Sequence, residues 1–559
     1  MIAALLCCAW TASAADITQT ATFKTSDGKS LHTILKGAEP LQPRPTIVEV
    51  TPYALTEESA TFGDGYNRLI VHARGTGKSN GQWNAVGPRD QQDVSEVLGW
   101  ACQQPWSNGH LGLLGFSASA IAVYNSLRLP LPCVDAAAVG AGSIDLYRDL
   151  LYPGGIPNLV PTVAVGLGVL APMGAAKLEQ TNVADAAEAA AGILGIGWNW
   201  LTRPTEDSWW TDHNVKPGPN TFPILAVTGF YDVESRGPFE NFKALRSTNP
   251  GTHLEVIGAH DGSPSTLPAP WVQYGRWFDH YLRGIDNGID REPAVQILLS
   301  KGSHGAMLKG DVKKVDASSW PAPGTTWQRL YLGDGEFQAT PPEGPWWWRD
   351  MPMTKTYPAI SSLALASDIN TISTLGDIET LTPFTSQMNF ADAASATYTT
   401  PPLKSAVDSA GPAALDIWLS ATALETDIHA VLADVWPDGR AFPVAQGRLR
   451  TSFPNVDNSR SVFDSRGEMV QPYGNYSAKS YTAPLTTREY HVEFWPIGNR
   501  FEAGHRLRLY VMGTSPLMIP PAPGINSVVS GRSMPTRLLF PVLPGSDMCA
   551  AASLGSKCS

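Results

Sequence analysis

Between Pro45 and Val139 the chain alternates short apolar runs with polar, glycine-containing segments. PTIVEV (Pro45 to Val50), NRLIVHA (Asn67 to Ala73), LGLL (Leu111 to Leu114) and VDAAAV (Val134 to Val139) are each mostly apolar without strict alternation. Runs of this kind suit strands covered on both faces. DQQDVSEVLGW (Asp90 to Trp100) carries helical spacing instead. Strands and helices in alternation predict a mostly parallel sheet covered by helices. From about Ile144 to Asn220 alanine-rich helix formers take over, and the strand pattern resumes at PILAVT (Pro223 to Thr228) and HLEVI (His253 to Ile257). A helical insertion between strands of one sheet is a usual way to build a cap. Beyond about Glu292 the pattern turns to many short strands. Ala414 to Ala421 has period two, and Ile428 to Val435, Val444 to Leu449, Glu489 to Trp495 and Leu507 to Met512 follow, with a Pro437-Asp438-Gly439 turn among them. That succession predicts a β-sandwich. The expected organisation is therefore an α/β core in two parts (15–143 and 221–291), a helical cap inserted at 144–220, and a C-terminal sandwich over 292–559.

Composition narrows this without changing it. With 43% hydrophobic and 16% charged residues the chain is globular, and a net charge of −11 over 559 residues argues against nucleic acid as a partner. The opening MIAALLCCAWTASAAD reads as a secretory signal over residues 1–14, with Ala12-Ser13-Ala14 as a small-residue cleavage site and no early Lys or Arg. The expected location is secreted or periplasmic. Removal of Cys7 and Cys8 with that signal leaves Cys102, Cys133, Cys549 and Cys558, an even set suited to an oxidising compartment. Cys549 with Cys558 and Cys102 with Cys133 are the natural pairs, although four cysteines permit three connectivities. Leu159 to Ala176 is apolar enough to suggest a membrane span, but Pro161, Pro172 and three glycines interrupt it, so a cap over a cleft is the better reading.

The chemistry gathers at Gly115-Phe116-Ser117-Ala118-Ser119, where an apolar strand meets a run of small, helix-forming residues. This is the layout of a nucleophile elbow, in which a sharp turn lifts a serine hydroxyl clear of the sheet. A serine hydroxyl attacks only when a base takes its proton and a third group fixes that base in one tautomer. On a sheet of this class the three follow in the order serine, acid, histidine, each after a strand. Asp232 follows Pro223 to Thr228, and His260 follows His253 to Ile257. His253 stands at the wrong end of its strand, and Glu234 and Asp261 are rival acids without that placement. The developing oxyanion needs two donors. The backbone N–H of Ala118 supplies one, and the Tyr53 hydroxyl, just after PTIVEV, is the candidate for the other. Gly75-Thr76-Gly77-Lys78-Ser79 imitates a phosphate loop, but His72 stands where a glycine is required and no helix opens at Lys78-Ser79. No cofactor and no metal ion is expected.

These residues resemble the cocaine esterase and X-Pro dipeptidyl-peptidase (CocE/NonD) family of serine hydrolases, over nearly all of the chain. HARGTGKSNGQW (His72 to Trp83) is similar to the family's Asp-x-Arg-Gly-x-Gly-x-Ser stretch, with His72 in place of the aspartate. QPWSNGHLGLLGFSASA (Gln104 to Ala120), DSWW (Asp207 to Trp210), ADVWPDGRA (Ala433 to Ala441) and AGHRLRLYV (Ala503 to Val511) resemble further family motifs. WFDHYLRGIDNGID (Trp277 to Asp290) is the most specific match. The resemblance implies an α/β-hydrolase core, a helical cap and a C-terminal jelly roll. It also implies Ser117 as nucleophile, Asp232 as acid, His260 as base and Tyr53 as oxyanion donor. Ala118, Ser119 and Ala120 depart from the family's Tyr-x-Gly after the nucleophile, and Gly258-Ala259-His260 is shorter than its Gly-Pro-Trp-x-His. The expected substrate is a small carboxylic ester or short peptide, and the expected reaction is ester hydrolysis through an acyl-enzyme. Dipeptidyl-peptidase or aminoacyl amide cleavage is the alternative within the same machinery, and a non-catalytic binding protein is the alternative outside it.

Overall fold

The computed structural model describes residues 16–53, 65–158, 183–268, 270–359, 388–513, 518–555 and 558. The expected signal and the apolar stretch Leu159 to Ala176 lie outside them.

The core sheet is built from β1 (Asp16–Lys24), β2 (Ser30–Ala38), β3 (Arg44–Thr51), β4 (Asn67–His72), β5 (Ser107–Phe116), β6 (Val134–Gly140), β7 (Ile224–Thr228), β8 (His253–Val256) and β9 (Val295–Ser300). In space the order is 1-2-4-3-5-6-7-8-9. β1 and β2 form an antiparallel hairpin, β2 meets β4 antiparallel, and every pair from β4 to β9 is parallel. Four helices of the core flank it: α1 (Pro88–Cys102), α2 (Ala118–Ser126), then, after the cap, α5 (Arg236–Leu245) and α6 (Pro270–Arg283). The cap contributes α3 (Val183–Thr202) and α4 (Ser208–Asp212). A sheet covered on both faces explains the continuous apolar runs. Neighbouring residues take opposite sides. Val48 and Leu113 pack toward Val94, Leu98, Val123 and Tyr124, whereas Ile47 and Leu114 pack toward Trp277 and Phe278 of α6. Trp277 and Phe278 are fully buried, each worth roughly 2–3 kcal/mol of apolar burial. The most specific sequence match thus supplies the second half of the helix that seals one face of the sheet, Trp277 to Arg283, and the segment that follows it.

Helix α1 begins at a proline, Pro88, and carries Asp93, which pairs with Arg74. Arg74 is buried, donates to Asp93 at 2.5 and 2.8 Å and reaches Asp27 at 3.1 Å. This is what His72 to Trp83 does. The stretch is a turn tied around a buried guanidinium, with the Lys78 N–H donating to His72 Nδ1 at 3.2 Å, and no helix starts at Lys78.

Beyond β9 the chain is antiparallel and β-rich. Val407–Ala421 pairs with Arg488–Phe501, and Asp427–Val435 pairs with Ala441–Arg450 on one side and Arg506–Met512 on the other. The α/β-hydrolase core with its inserted cap and C-terminal β-rich part is the expected fold class. Cys102 is bonded to Cys133 and Cys549 to Cys558. Among the described residues no helix is long and apolar enough to cross a membrane.

The C-terminal part is keyed to the core at two points near the end of β7. Any side chain at Gly498 would overlap the Phe230 ring. Arg236, buried at the start of α5, donates to Asp149 at 2.8 Å and to Glu493 at 3.0 Å.

Candidate active site

Strand β5 ends at Phe116 and α2 begins at Ala118, leaving Ser117 alone in the turn with φ 55° and ψ −124°. A non-glycine residue with positive φ is strained and persists only when its surroundings hold it. Here the Ser117 N–H donates to Gly140 O at 2.9 Å, and Ser117 O accepts the first helical bond from Ile121 N at 3.0 Å. The turn leaves no room at Gly115, where a Cβ would stand 2.6 Å from Ser119 O. Ser119, fully buried, occupies the position where the commoner pattern has glycine. Its hydroxyl donates to Thr51 Oγ1 at 2.9 Å, and the same Thr51 oxygen accepts the Tyr53 N–H at 3.1 Å. Ser119 therefore ties the elbow to the loop that carries Tyr53.

Tyr53 lies where the sequence placed it, after β3. Its hydroxyl oxygen accepts the Ala118 N–H at 3.3 Å and lies within hydrogen-bonding reach of the Ser117 side chain. Burial, together with the charges of Glu234 and Glu49, pushes the phenol above its ordinary value. It stays protonated at neutral pH and can donate to an oxyanion. The phenol and the Ala118 amide converge beside Ser117.

Asp232 follows β7 and is fully buried. Both of its oxygens lie 3.1 Å from His260 Nδ1, and they also accept the backbone N–H of His260 at 2.6 Å and of Glu234 at 2.7 Å. Burial opposes its charge, but the interactions with His260 and these backbone donors hold its carboxyl below the ordinary range. With Nδ1 engaged, Nε2 is the imidazole nitrogen left for chemistry. The ring packs against Phe116, the residue before Ser117, with centroids 4.6 Å apart. Three strand ends thus bring Ser117, Asp232 and His260 to one edge of the sheet, the carboxyl edge where α/β folds form clefts.

His253 sits at the opposite end of β8, buried with its ring 5.3 Å from Trp277. The two rival acids do not bond the His260 ring, yet neither is idle. Glu234 is buried and accepts the Gly142 N–H at 2.6 Å. Asp261 is buried and accepts from Ala259 N at 2.8 Å and Tyr231 N at 3.1 Å. Burial pushes both carboxyls up to about 7, with the Asp232 charge adding to each. Burial would lower His260, but Asp232, Glu234 and Asp261 together raise it to about 9. A carboxylate-surrounded imidazole was not legible from the sequence, where Glu234 and Asp261 were only competitors for the place of Asp232. The signal was their spacing, two residues after Asp232 and one after His260. Among the described residues no group of three or more His, Cys, Asp or Glu side chains is arranged to hold a metal ion.

A family model of the X-Pro dipeptidyl-peptidases (S15 family) matches residues 27–260, and a model of the X-Pro dipeptidyl-peptidase C-terminal non-catalytic domain matches residues 287–532. The chain is 24% identical to cocaine esterase of Rhodococcus sp. over 499 residues, which is 81% of each protein. It is 23% identical to a putative Xaa-Pro dipeptidyl-peptidase of Streptomyces avermitilis over 82% of this chain and 68% of that one. Its fold is that of a CocE/NonD family hydrolase from Staphylococcus aureus, with a TM-score of 0.75, 18% identity and 94% of both chains covered. An α-amino acid ester hydrolase shares the fold at a TM-score of 0.74 and 17% identity, over 97% of this chain and 98% of that one.

Proposed function

Because the chain belongs to the cocaine esterase and X-Pro dipeptidyl-peptidase (S15) family of serine hydrolases, we propose that it hydrolyses carboxylic esters through an acyl-enzyme formed on Ser117. The observation that carries this reading is the strained Ser117 elbow between the Tyr53–Ala118 pair and the Asp232–His260 pair.

His260 Nε2 takes the proton of the Ser117 hydroxyl as Oγ bonds to the ester carbonyl carbon. The carbonyl π electrons move onto oxygen, which the Tyr53 hydroxyl and the Ala118 amide receive. Collapse breaks the carbon–alkoxy bond, and His260 hands its proton to the departing alkoxide. Water then repeats the sequence, losing its proton to His260 and releasing the acid and the free serine. Asp232 remains ionised throughout and holds the imidazole with Nδ1 toward itself.

Esters are preferred over peptides on chemical grounds, since an alkoxide leaves more readily than an amine. A dipeptidyl-peptidase must also match a buried N-terminal ammonium with a carboxylate. Of the cap acids, Glu188 is already paired with Lys29 at 2.6 Å. The paired cysteines support placing the protein in an oxidising compartment, reached by secretion.

The test is Ser117→Ala together with a fluorophosphonate label. The variant should fold, lose nearly all turnover on nitrophenyl esters and take up no label, while the unaltered protein is labelled at Ser117. Labelling at another serine would refute the assignment.

A further inference from the structure

We propose that the cavity beneath the 258–268 loop is the leaving-group pocket, and that it selects esters of apolar, aromatic or branched alcohols. The proposal rests on the esterase reading and deepens it.

The cavity measures about 470 Å³ and is walled by Phe116, Val227, Ala259, Pro264, Leu267 and Tyr274. That volume suits a small-molecule group. Two of its walls are attached to the catalytic residues themselves. Phe116 precedes Ser117 and lies 4.6 Å, centroid to centroid, from the His260 ring, and Ala259 precedes His260. The direction is also set by the sheet. Tyr53 and Ala118 receive the carbonyl oxygen on the side of β3, whereas Phe116, Val227 and the loop after β8 lie on the side of β7 and β8, on the face covered by α6. In the tetrahedral intermediate the oxyanion points to its donors, and the leaving oxygen must face the imidazolium that protonates it. A group attached to that oxygen is therefore carried toward His260 and the cavity beyond it.

The lining argues for the class of alcohol. Phe116 and Leu267 are 42% and 40% exposed, so large apolar surface stands in water at the mouth of the site until something covers it. Among the described residues none of the cavity-lining side chains is charged. An aromatic or branched hydrocarbon group would cover these side chains, whereas a small or charged alcohol would not.

The test uses esters that differ on one side only. Ethyl acetate and 2-naphthyl acetate share the acyl group; 2-naphthyl acetate and 2-naphthyl butyrate share the alcohol. Ser263→Trp fills the cavity from its loop wall, and Leu267→Asp places a charge in it. Each variant should lower the ratio of kcat/KM for 2-naphthyl over ethyl acetate by roughly tenfold or more. The butyrate-to-acetate ratio should stay within about twofold of the unaltered enzyme's. Fluorophosphonate labelling of Ser117, read alongside, separates the two claims. Labelling with an unchanged naphthyl-to-ethyl ratio in both variants overturns the pocket alone, as does a shift in the acyl ratio of equal size. Absence of labelling in the unaltered enzyme overturns the site and the pocket with it.

Discussion

The pH dependence of the enzyme should be set by carboxylates that never touch substrate. His260 stands at about 9, against an ordinary value of 6.5. That difference, at 1.36 kcal/mol per unit, corresponds to about 3 kcal/mol favouring the imidazolium. Burial works against this charge, so the Asp232, Glu234 and Asp261 side chains must more than offset it. Only neutral imidazole can take the serine proton. kcat/KM should therefore keep rising with pH well above 6.5, with its midpoint near 9 and its plateau above that, rather than show an ordinary histidine profile. The same shift has a stability counterpart of opposite sense. A histidine raised on folding contributes stability that is complete below 6.5 and is lost as pH climbs through about 9. Glu234→Gln keeps an acceptor for the Gly142 N–H and removes one charge, so it should bring the kinetic midpoint down by roughly a unit. Asp261→Asn should act in the same direction. The assay is initial-rate hydrolysis of an aryl ester followed by pH-stat, which reads acid release directly at every pH. A midpoint at or below 6.5 in the unaltered enzyme, or one that Glu234→Gln leaves in place, would show that the buried carboxyls stay protonated and do not govern the base.

Three further outcomes are expected. Tyr53→Phe should lower kcat by roughly 10²–10³ with little change in KM, because the lost hydroxyl acts only on developing charge; an unchanged kcat would return Tyr53 to packing. Asp232→Asn should fold and lose about 10⁴ in kcat through the wrong imidazole tautomer, whereas His253→Ala, at the far end of β8, should keep most activity, and equal damage from His253→Ala and His260→Ala would unseat the base. Nitrophenyl esters should be cleaved with far higher kcat/KM than glycyl-prolyl nitroanilide, and a preference for the anilide would favour the dipeptidyl-peptidase alternative.

The strand ends were legible because a two-faced parallel sheet writes continuous apolar runs, and each run stops where its chain reaches the cleft. Ser117, Asp232 and His260 could be singled out on that basis, and Tyr53 by its place after Pro45 to Val50. Strand β5 is ten residues rather than four, since it begins at Ser107, which pairs with Arg44 of β3, and its polar, partly exposed start, Ser107 to His110, leaves no apolar run to mark it. What the sequence withheld is whatever depends on contact between distant positions. Ser119 stands where the commoner elbow carries glycine, and its hydroxyl bond to Thr51 spans 68 positions. Arg236 gave no signal as a partner of Glu493, 257 positions away. The charge environment of His260 is of the same kind, because desolvation is a property of the assembled site.

The junction at Arg236 bears on what can be cut away. The helix that follows the Asp232 turn draws its buried counter-charge partly from Glu493, and the Phe230 ring closes against the bare backbone of Gly498. A fragment ending after β9 would uncover a fully buried guanidinium and an aromatic ring two residues from the acid. Such a fragment keeps the Arg236–Asp149 pair but loses the Glu493 partner and the cover over Phe230, which weakens the support of the turn carrying Asp232. The C-terminal strands are thus part of the scaffold that supports the turn carrying Asp232. Modules that look separable along the chain have become mutually obligate, and shuffling them between relatives would require carrying Arg236, Glu493 and Gly498 together.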